Sequence, residues 1–381
     1  MVMTQSAPFR RGHFCFNKIE GKMNVERLYT ICEMLISELN STQSENRLSE
    51  LSKHLQNMAT QPQQAQHQDN VSKVREDLNK ALSIAESNDF SPAWRQTVME
   101  LDADMLLGEK LKERIDTIFY ENQMTPKVAK DQISEIEEEV SNLGVALKNL
   151  TEGLDYFEFE PEDLPEGDGE FGFLVPRDYF NNHFDEMVKE LRHLNQILDT
   201  FSRVATGKVE HYELRTISTT DPLFVVGGSI LVLSFFAKAI RPIIGVYKDV
   251  LDVKILRSQL AEKGVSGNAL DEISKDVEAM MDKKLSEIKQ ELMVDCPVEE
   301  ETDRNDLDNA LGFALKKIAN RIDRGFNFEI RLAITQQDSD DDEEAEEESE
   351  EVKVIQAAMK EMEFKNIEGK PILNLPEEIE E

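Results

Sequence analysis

The sequence predicts a mostly α-helical protein with a small α+β part. An antiparallel helical bundle at the N-terminus is followed by a few-stranded sheet with packed helices and by a disordered acidic tail. Three observations support this fold class. Apolar residues recur at steps of three and four over most of the chain, which is the period of amphipathic helices. Three short stretches alternate between apolar and other residues, as strands do. The C-terminal region is dominated by acidic residues.

These patterns divide the chain into four regions. Residues 1–22 are expected to form a flexible leader, because their basic start is followed by no apolar segment of a secretory signal. Residues 23–154 form the helical bundle. Residues 155–334 form the α+β domain, which contains a central apolar helix at residues 222–247. Residues 335–381 are the acidic disordered tail, apart from a short helical pattern near its middle.

Charge and cysteine content limit the classes of function. The net charge is −34, and the tail alone carries 18 acidic and 4 basic residues. A surface this acidic repels phosphate backbones, so we expect no nucleic-acid partner. Cys15, Cys32 and Cys296 are far apart and show no paired spacing. This pattern suggests neither a zinc site nor a disulfide framework, and it favours a cytoplasmic protein.

The bundle is predicted from apolar stripes and from helix starts. Residues 91–92 and 125–126 each place a Ser or Thr N-cap before a proline, which begins a helix. We expect the first of these helices to continue through Phe119. The stripe at residues 133–154 keeps heptad spacing, so an intermolecular coiled coil is the alternative to packing within one chain. The proline breaks and Gly144 favour the bundle.

The second region combines strand and helix signals. Alternating residues predict strands at 156–159, 211–217 and 326–334, and a short apolar run occupies residues 171–175. An amphipathic helix is expected from Phe180 to Phe201. Because helical patterns separate the strand signals, the sheet must be assembled from non-adjacent pieces. The order of its strands is left open.

The stretch from Pro222 to Ala237 contains no charged residue. Asp221 followed by a proline predicts the start of a helix there, and the uncharged length reaches the lower limit of a membrane span. A buried central helix is favoured, because strand signals on both sides suggest that one domain encloses it. A membrane-inserted segment and an exposed partner surface are the alternatives. Residues that would contact a membrane are Val225, Ile230, Leu233, Phe235 and Phe236.

Motifs of known chemistry are absent from the sequence. It contains no nucleotide-binding fingerprint and no hydrolase, metalloprotease or kinase motif. His183, Glu186, Glu190 and His193 share one helical face, and the last two resemble half of a di-iron ligand set. No second Glu-x-x-His occurs, so we expect a solvated boundary. No metal or cofactor is expected.

One cluster of basic residues stands against the acidic background. Lys316, Lys317, Arg321 and Arg324 lie on the helix that leads into the last strand. We expect an ordinary solvated face here, and a site for an anion or a partner is the alternative. Lipid headgroups or the acidic tail of the chain are further candidates. We hypothesise that residues 338–351 fold over the cluster and screen its charge.

Three classes of function are compatible with these features. A non-enzymatic adaptor that binds protein partners, with or without oligomerisation, is favoured by the helical stripes and the lack of a catalytic motif. A membrane-associated effector or tethered adaptor that inserts residues 222–241 is the alternative. It would act at the inner face of a membrane or as a single-pass protein. The third class is an enzyme of unrecognised type, since scattered catalytic residues leave no local motif.

Overall fold

The structure is a computed structural model that describes residues 25–61, 63–162, 169–217, 222–332, 349–364 and 370–377. The described chain is mostly helical, with a small four-stranded antiparallel sheet, as predicted. In chain order the elements are α1 (Val25–Thr42), α2 (Ser44–Thr60), α3 (Ala65–Ser83), α4 (Pro92–Glu100), α5 (Gly108–Glu121), α6 (Pro126–Tyr156), β1 (Gly169–Leu174), α7 (Phe184–Thr206), β2 (Leu214–Ile217), β3 (Leu223–Gly228), α8 (Ile230–Glu262), α9 (Gly267–Val294), α10 (Glu301–Asp323), β4 (Asn327–Leu332) and α11 (Glu350–Glu361).

Helices α1 to α6 form the N-terminal bundle. The 31-residue α6 is its longest helix and packs against both α1 and α2. Its heptad stripe is buried inside the chain, with Ile133, Ile136 and Val140 in one apolar cluster and Leu147 in a second. This stripe is therefore already covered by apolar side chains of the same chain.

Two predictions in this region were wrong. The helix that begins after Ser91 ends at Glu100, because Asp102 adopts a left-handed φ of 54°, and α5 begins only at Gly108. The strand expected at 156–159 is also not formed. Helix α6 continues to Tyr156, and a turn follows it. A four-residue alternation is too short to decide its own conformation without a pairing strand.

The sheet has the strand order β2-β3-β1-β4. Its two faces differ in chemistry because successive residues of a strand point to opposite sides. On one face, Phe171 and Phe173 of β1 contact Phe236 of α8 in edge-to-face geometry. The opposite face carries charged residues of β1 and β4 and is covered by bundle helices α1 and α4. The strands predicted near residues 211–217 and 326–334 are confirmed, with shorter bounds.

The central apolar helix begins at Ile230, not at Pro222. The residues between them form β3, which lies in the middle of the sheet. Close packing favours glycine at one of its positions. A Cβ on Gly228 would lie 2.7 Å from a ring carbon of Phe171. Residues 223–228 pair with β1 and β2 and form a strand, although Asp221 and Pro222 predicted the start of a helix.

The segment considered for membrane contact is enclosed by protein in this fold. Val225, Leu233, Phe235 and Phe236 are buried, and Ile230 is half-buried against the same cluster. Helix α8 is long and apolar enough to cross a membrane, and 56% of its most apolar window is buried inside the protein. A core helix satisfies the same test. Its neighbours are β1 and helices α7, α9, α10 and α11.

Part of the acidic tail is folded. The short helix predicted near its middle is confirmed as α11, which lies on α8 with Ile355 and Met359 buried. Residues 370–377 form neither a helix nor a strand, and Ile372, Leu373 and Leu375 are buried. The prediction of a disordered tail is therefore corrected for residues 349–364 and 370–377. Residues 338–348, on which the screening hypothesis depended, lie outside the described residues.

A buried network of charges joins the bundle to the polar face of the sheet. Arg331 of β4 donates from Nη2 to Glu170 Oε2 of β1 at 2.7 Å and lies 3.0 Å from Glu162 Oε2. Arg27 of α1 donates from Nη2 to Glu162 Oε1 at 3.0 Å. Glu329 of β4 accepts from the hydroxyl of Ser91. Ionic contacts, in addition to apolar packing, therefore hold the bundle against the sheet.

The substitution Glu329→Gln tests this network through pH. Burial raises the pKa of Glu329, although Arg27 and Ser91 oppose the shift. The folded protein thus binds this proton more tightly than the unfolded chain, and stability is lost as pH rises above about 4. The glutamine variant cannot ionise. We expect its free energy of unfolding, relative to wild type, to increase between acidic and neutral pH in urea titrations. An equal increase in the exposed Glu135→Gln variant would contradict this assignment.

Candidate functional site

The four basic residues predicted as a patch do not share a solvated face. Arg321 and Lys317 are buried, with only 1% and 7% of their surface exposed. Lys317 donates from Nζ to Gln196 of α7 at 3.1 Å, and Lys316 Nζ lies 3.0 Å from a carboxylate oxygen of α9. Arg324 is partly exposed. The expectation of an ordinary solvated face was therefore wrong, because α7, α8 and α9 pack around α10.

Arg321 forms a buried ion pair with α7. Its Nε donates to Glu190 Oε1 at 2.8 Å and its Nη2 to Glu190 Oε2 at 3.1 Å. Tyr179 donates to the same carboxylate, and His193 Nδ1 lies 3.1 Å from it. Burial would lower the pKa of Arg321, but hydrogen bonds to Glu190 and to Glu377 outweigh it and raise the pKa. Glu190 and His193 were expected at a solvated boundary of the helix. This expectation is wrong for Glu190, which is buried.

Residues 370–377 contact α10 and are bound through their backbone. Asp323 Oδ2 accepts from Ile372 N at 2.6 Å and from Leu373 N at 2.7 Å. The amide of Asn320 pairs with both backbone groups of Leu375. Its Nδ2 donates to the carbonyl at 2.9 Å, and its Oδ1 accepts from the N–H at 3.1 Å. Side chains of α10 thus satisfy backbone groups that no helix or strand satisfies.

Asp323 is held in place from the other side by α8. Its Oδ1 accepts from Tyr247 OH at 2.9 Å and from Lys254 Nζ at 3.1 Å. Lys254 also donates to the Asp323 carbonyl at 3.1 Å. These contacts fix the carboxylate with its second oxygen directed at the segment. The acceptor is therefore preorganised, which lowers the entropy lost on binding.

The end of the segment is acidic and meets two arginines. Glu377 Oε1 accepts from Arg321 Nη1 and, at 2.9 Å, from Asn320 Nδ2, and it lies 3.7 Å from Arg324 Nη1. Burial would raise the pKa of Glu377, but hydrogen bonds from Arg321 and Asn320 and the charges of both arginines lower it. A cavity of about 440 Å³ lies beside these residues, between Arg324 and the end of the segment.

We call this surface the α10 groove and define it by Asn320, Arg321, Asp323 and Arg324 of α10 together with Glu278 of α9, which accepts from Asn374 N at 2.9 Å. The sequence pointed to Arg321 and Arg324, but it did not point to Asn320, Asp323 or Glu278. The spacing of two of these residues could have identified them. Asn320 and Asp323 are polar residues spaced three apart on α10, beside its buried stripe at Ile318 and Ile322.

The described residues show no arrangement that suggests a metal site or a reactive thiol. Within them, no group of three or more His, Cys, Asp or Glu residues is placed to hold a metal. His183 and Glu186 are exposed, and Glu186 pairs with Lys189 on the same helix. Cys32 is buried in the bundle, and burial raises its pKa to about 11.

This burial predicts slow thiol modification. Cys32 and Cys296 are both free and buried, and a protonated, enclosed thiol reacts slowly with disulfide reagents. In a Cys15→Ser variant, we expect no thiol to react with Ellman's reagent within minutes until urea unfolds the protein. Fast reaction of the native variant, followed by absorbance, would contradict the enclosed positions of the two thiols.

Comparison of the chain with known protein families, with curated proteins and with solved structures finds no match. An assignment of function therefore depends on the chemistry of the α10 groove.

Proposed function

We propose that the chain is a non-enzymatic interaction protein and that the α10 groove recognises a short peptide segment of a protein partner. Residues 370–377 of the chain occupy the groove as an internal ligand. One observation carries this proposal: Asn320 and Asp323 hydrogen-bond four backbone groups of the segment. Hydrogen bonds to backbone groups supply affinity, and the side chains of the segment supply specificity.

The side chains of the bound segment indicate which sequences fit. Ile372, Leu373 and Leu375 are buried, so aliphatic residues are favoured at these three positions. Glu377 contacts two arginines, so an acidic residue is favoured two positions after the last of them. A partner segment of the form aliphatic-aliphatic-x-aliphatic-x-acidic satisfies both requirements. The arginines that we considered as an anion site thus have an acidic side chain as their ligand.

An internal ligand competes with any partner. A covalent connection to the site gives an effective concentration on the order of millimolar, so a partner must bind more tightly or the segment must be released. A groove that is open for only a small fraction of time lowers the apparent affinity by that fraction. We therefore propose that the segment regulates access to the groove.

A protease site introduced in place of residues 365–369 allows a test on the complete chain. Cleavage cuts the tether and leaves residues 370–381 free to dissociate. A fluorescein-labelled peptide with the sequence of residues 370–377 is then added, and its anisotropy is measured. We expect binding to the cleaved protein and much weaker binding to the uncleaved protein.

Two variants identify the contacts that carry the binding. Asn320→Ala in the protein removes two backbone hydrogen bonds, and Glu377→Gln in the peptide removes the charge that faces the arginines. Each is expected to weaken binding by about tenfold. Lys283→Ala, a change at an exposed position of the neighbouring helix α9 outside the groove, is the control. If the cleaved protein has released its own segment and still does not bind the peptide, the proposal is contradicted. Loss of near-UV circular dichroism on cleavage identifies the segment as a structural strap instead.

A membrane-associated role is the second candidate, favoured by the length and hydropathy of α8. This role requires α8 to leave the core that encloses Leu233 and Phe236, and α11 to leave the surface of α8. Extraction of cell membranes with alkaline carbonate separates the two candidates. Release of the chain into the supernatant supports the interaction role in the cytoplasm, and firm retention in the pellet supports insertion.

A further inference from the structure

Three aromatic side chains stand exposed where α6 ends. Tyr156, Phe157 and Phe159 have 82%, 70% and 42% of their surface exposed. The rings of Tyr156 and Phe157 are edge-to-face, with centroids 5.3 Å apart. We call these three residues the aromatic tip. Large aromatic side chains dominate the binding energy of interfaces, and three within four residues form a concentrated apolar surface.

The charge around the aromatic tip is negative in the part of the chain that the structure describes. Glu152, Glu158 and Glu160 are exposed, and none of them forms an ion pair with any residue that the structure describes. The last turn of α6 contains no basic residue. The partial negative charge at a helix C-terminus adds to the same field, so these carboxylates lie where the helix itself disfavours them. A cation placed here gains from the carboxylates and from the helix together.

The backbone that carries the tip is held in position. Glu158 adopts a left-handed φ of 59°, and the turn is closed by Phe159 N, which donates to Leu154 O at 3.2 Å. Tyr29 of α1 donates to Asp155 on one side of the tip. On the other side, Glu162 N donates to Thr30 Oγ1 of α1 at 2.7 Å. A fixed turn presents the rings at a low entropic cost of binding.

We propose that the aromatic tip is a second interaction surface, which binds an arginine-rich segment of a protein partner. Guanidinium groups stack on aromatic faces and pair with carboxylates, so one side chain uses both features of the tip. The net charge of −34 also steers a basic segment toward the chain. The α10 groove takes an acidic segment, so the two surfaces select partners of opposite charge.

A fluorescein-labelled peptide of alternating arginine and glycine is the probe, and its anisotropy is measured with the full-length protein. The triple variant Tyr156→Ser/Phe157→Ser/Phe159→Ser removes the rings and keeps every charge. We expect it to bind the probe about tenfold more weakly than wild type. The variant Glu158→Gln/Glu160→Gln keeps the rings, and we expect it to weaken binding and to reduce the salt dependence.

A matched control lies elsewhere on the bundle. Tyr120→Ser/Glu121→Gln removes an exposed ring and an exposed charge at the end of α5, and it should bind like wild type. Unchanged binding by the triple variant overturns the proposal, as does an equal loss in the control. If the probe does not bind and the tip variants instead change the sedimentation coefficient, the tip contacts a second copy and the proposal is overturned. If the triple variant misfolds by circular dichroism, Phe157→Ser alone gives the same comparison.

Discussion

Replacement of Phe236 by alanine is expected to destabilise the protein by about 3–5 kcal/mol, among the largest effects of a single substitution in this fold. Its ring is fully buried at the centre of an aromatic cluster. The ring centroid lies 5.0 Å from that of Phe171, 5.2 Å from that of Phe201 and 5.9 Å from that of Phe328. Removal of the ring leaves a cavity that packed strands and helices cannot easily close.

Urea unfolding followed by circular dichroism measures this effect. Leu231→Ala is the control, because Leu231 is on the same helix but is 40% exposed. Its cost should stay below about 1 kcal/mol. Similar small losses from both substitutions would contradict the enclosed position of α8 and would favour the membrane role, in which lipid, rather than protein, surrounds the helix.

Replacement of Arg321 by methionine is expected to cost a similar amount, about 3–5 kcal/mol, because it leaves the buried Glu190 without its partner. Both side chains of this pair are almost fully enclosed. Arg324→Met is the control. This residue lies one helical turn away, also faces Glu377, and is partly exposed, so its loss should cost below about 1 kcal/mol.

A double variant separates the charge from the shape of the site. Arg321→Met/Glu190→Gln removes both charges, and we expect it to recover most of the stability lost in Arg321→Met. The recovered protein should still bind the peptide of residues 370–377 more weakly, because Glu377 has lost its closest cation. Equal stability of the single and double variants in urea titrations would show that the ion pair does not carry the effect.

The helices were the most predictable part of the fold. Their apolar period is a local property, and proline after Ser91 and Thr125 marked two starts correctly. Strand β3 was missed for a physical reason. It lies in the middle of the sheet and runs directly into the buried half of α8, so both elements are apolar on every side and no change of period marks the boundary.

The candidate site was predictable only in part. Arg321 and Arg324 stood out because their charge opposes that of the chain. Their ligand did not, because Glu377 lies 56 residues from Arg321 and only the fold brings them together. Asn320 and Asp323 have ordinary residue types on an amphipathic helix. Their role depends on backbone groups of a distant segment, which leave no trace in local sequence patterns.

Native-state hydrogen exchange of the intact chain tests most directly whether residues 370–377 are an exchangeable ligand of the α10 groove. The amides of Ile372, Leu373 and Leu375 are bonded to groove side chains and should be protected. We predict that they exchange through a local opening, faster than the amides of α10, which stay protected. Exchange of the segment and of α10 at one common rate, only through global unfolding, would contradict an exchangeable ligand.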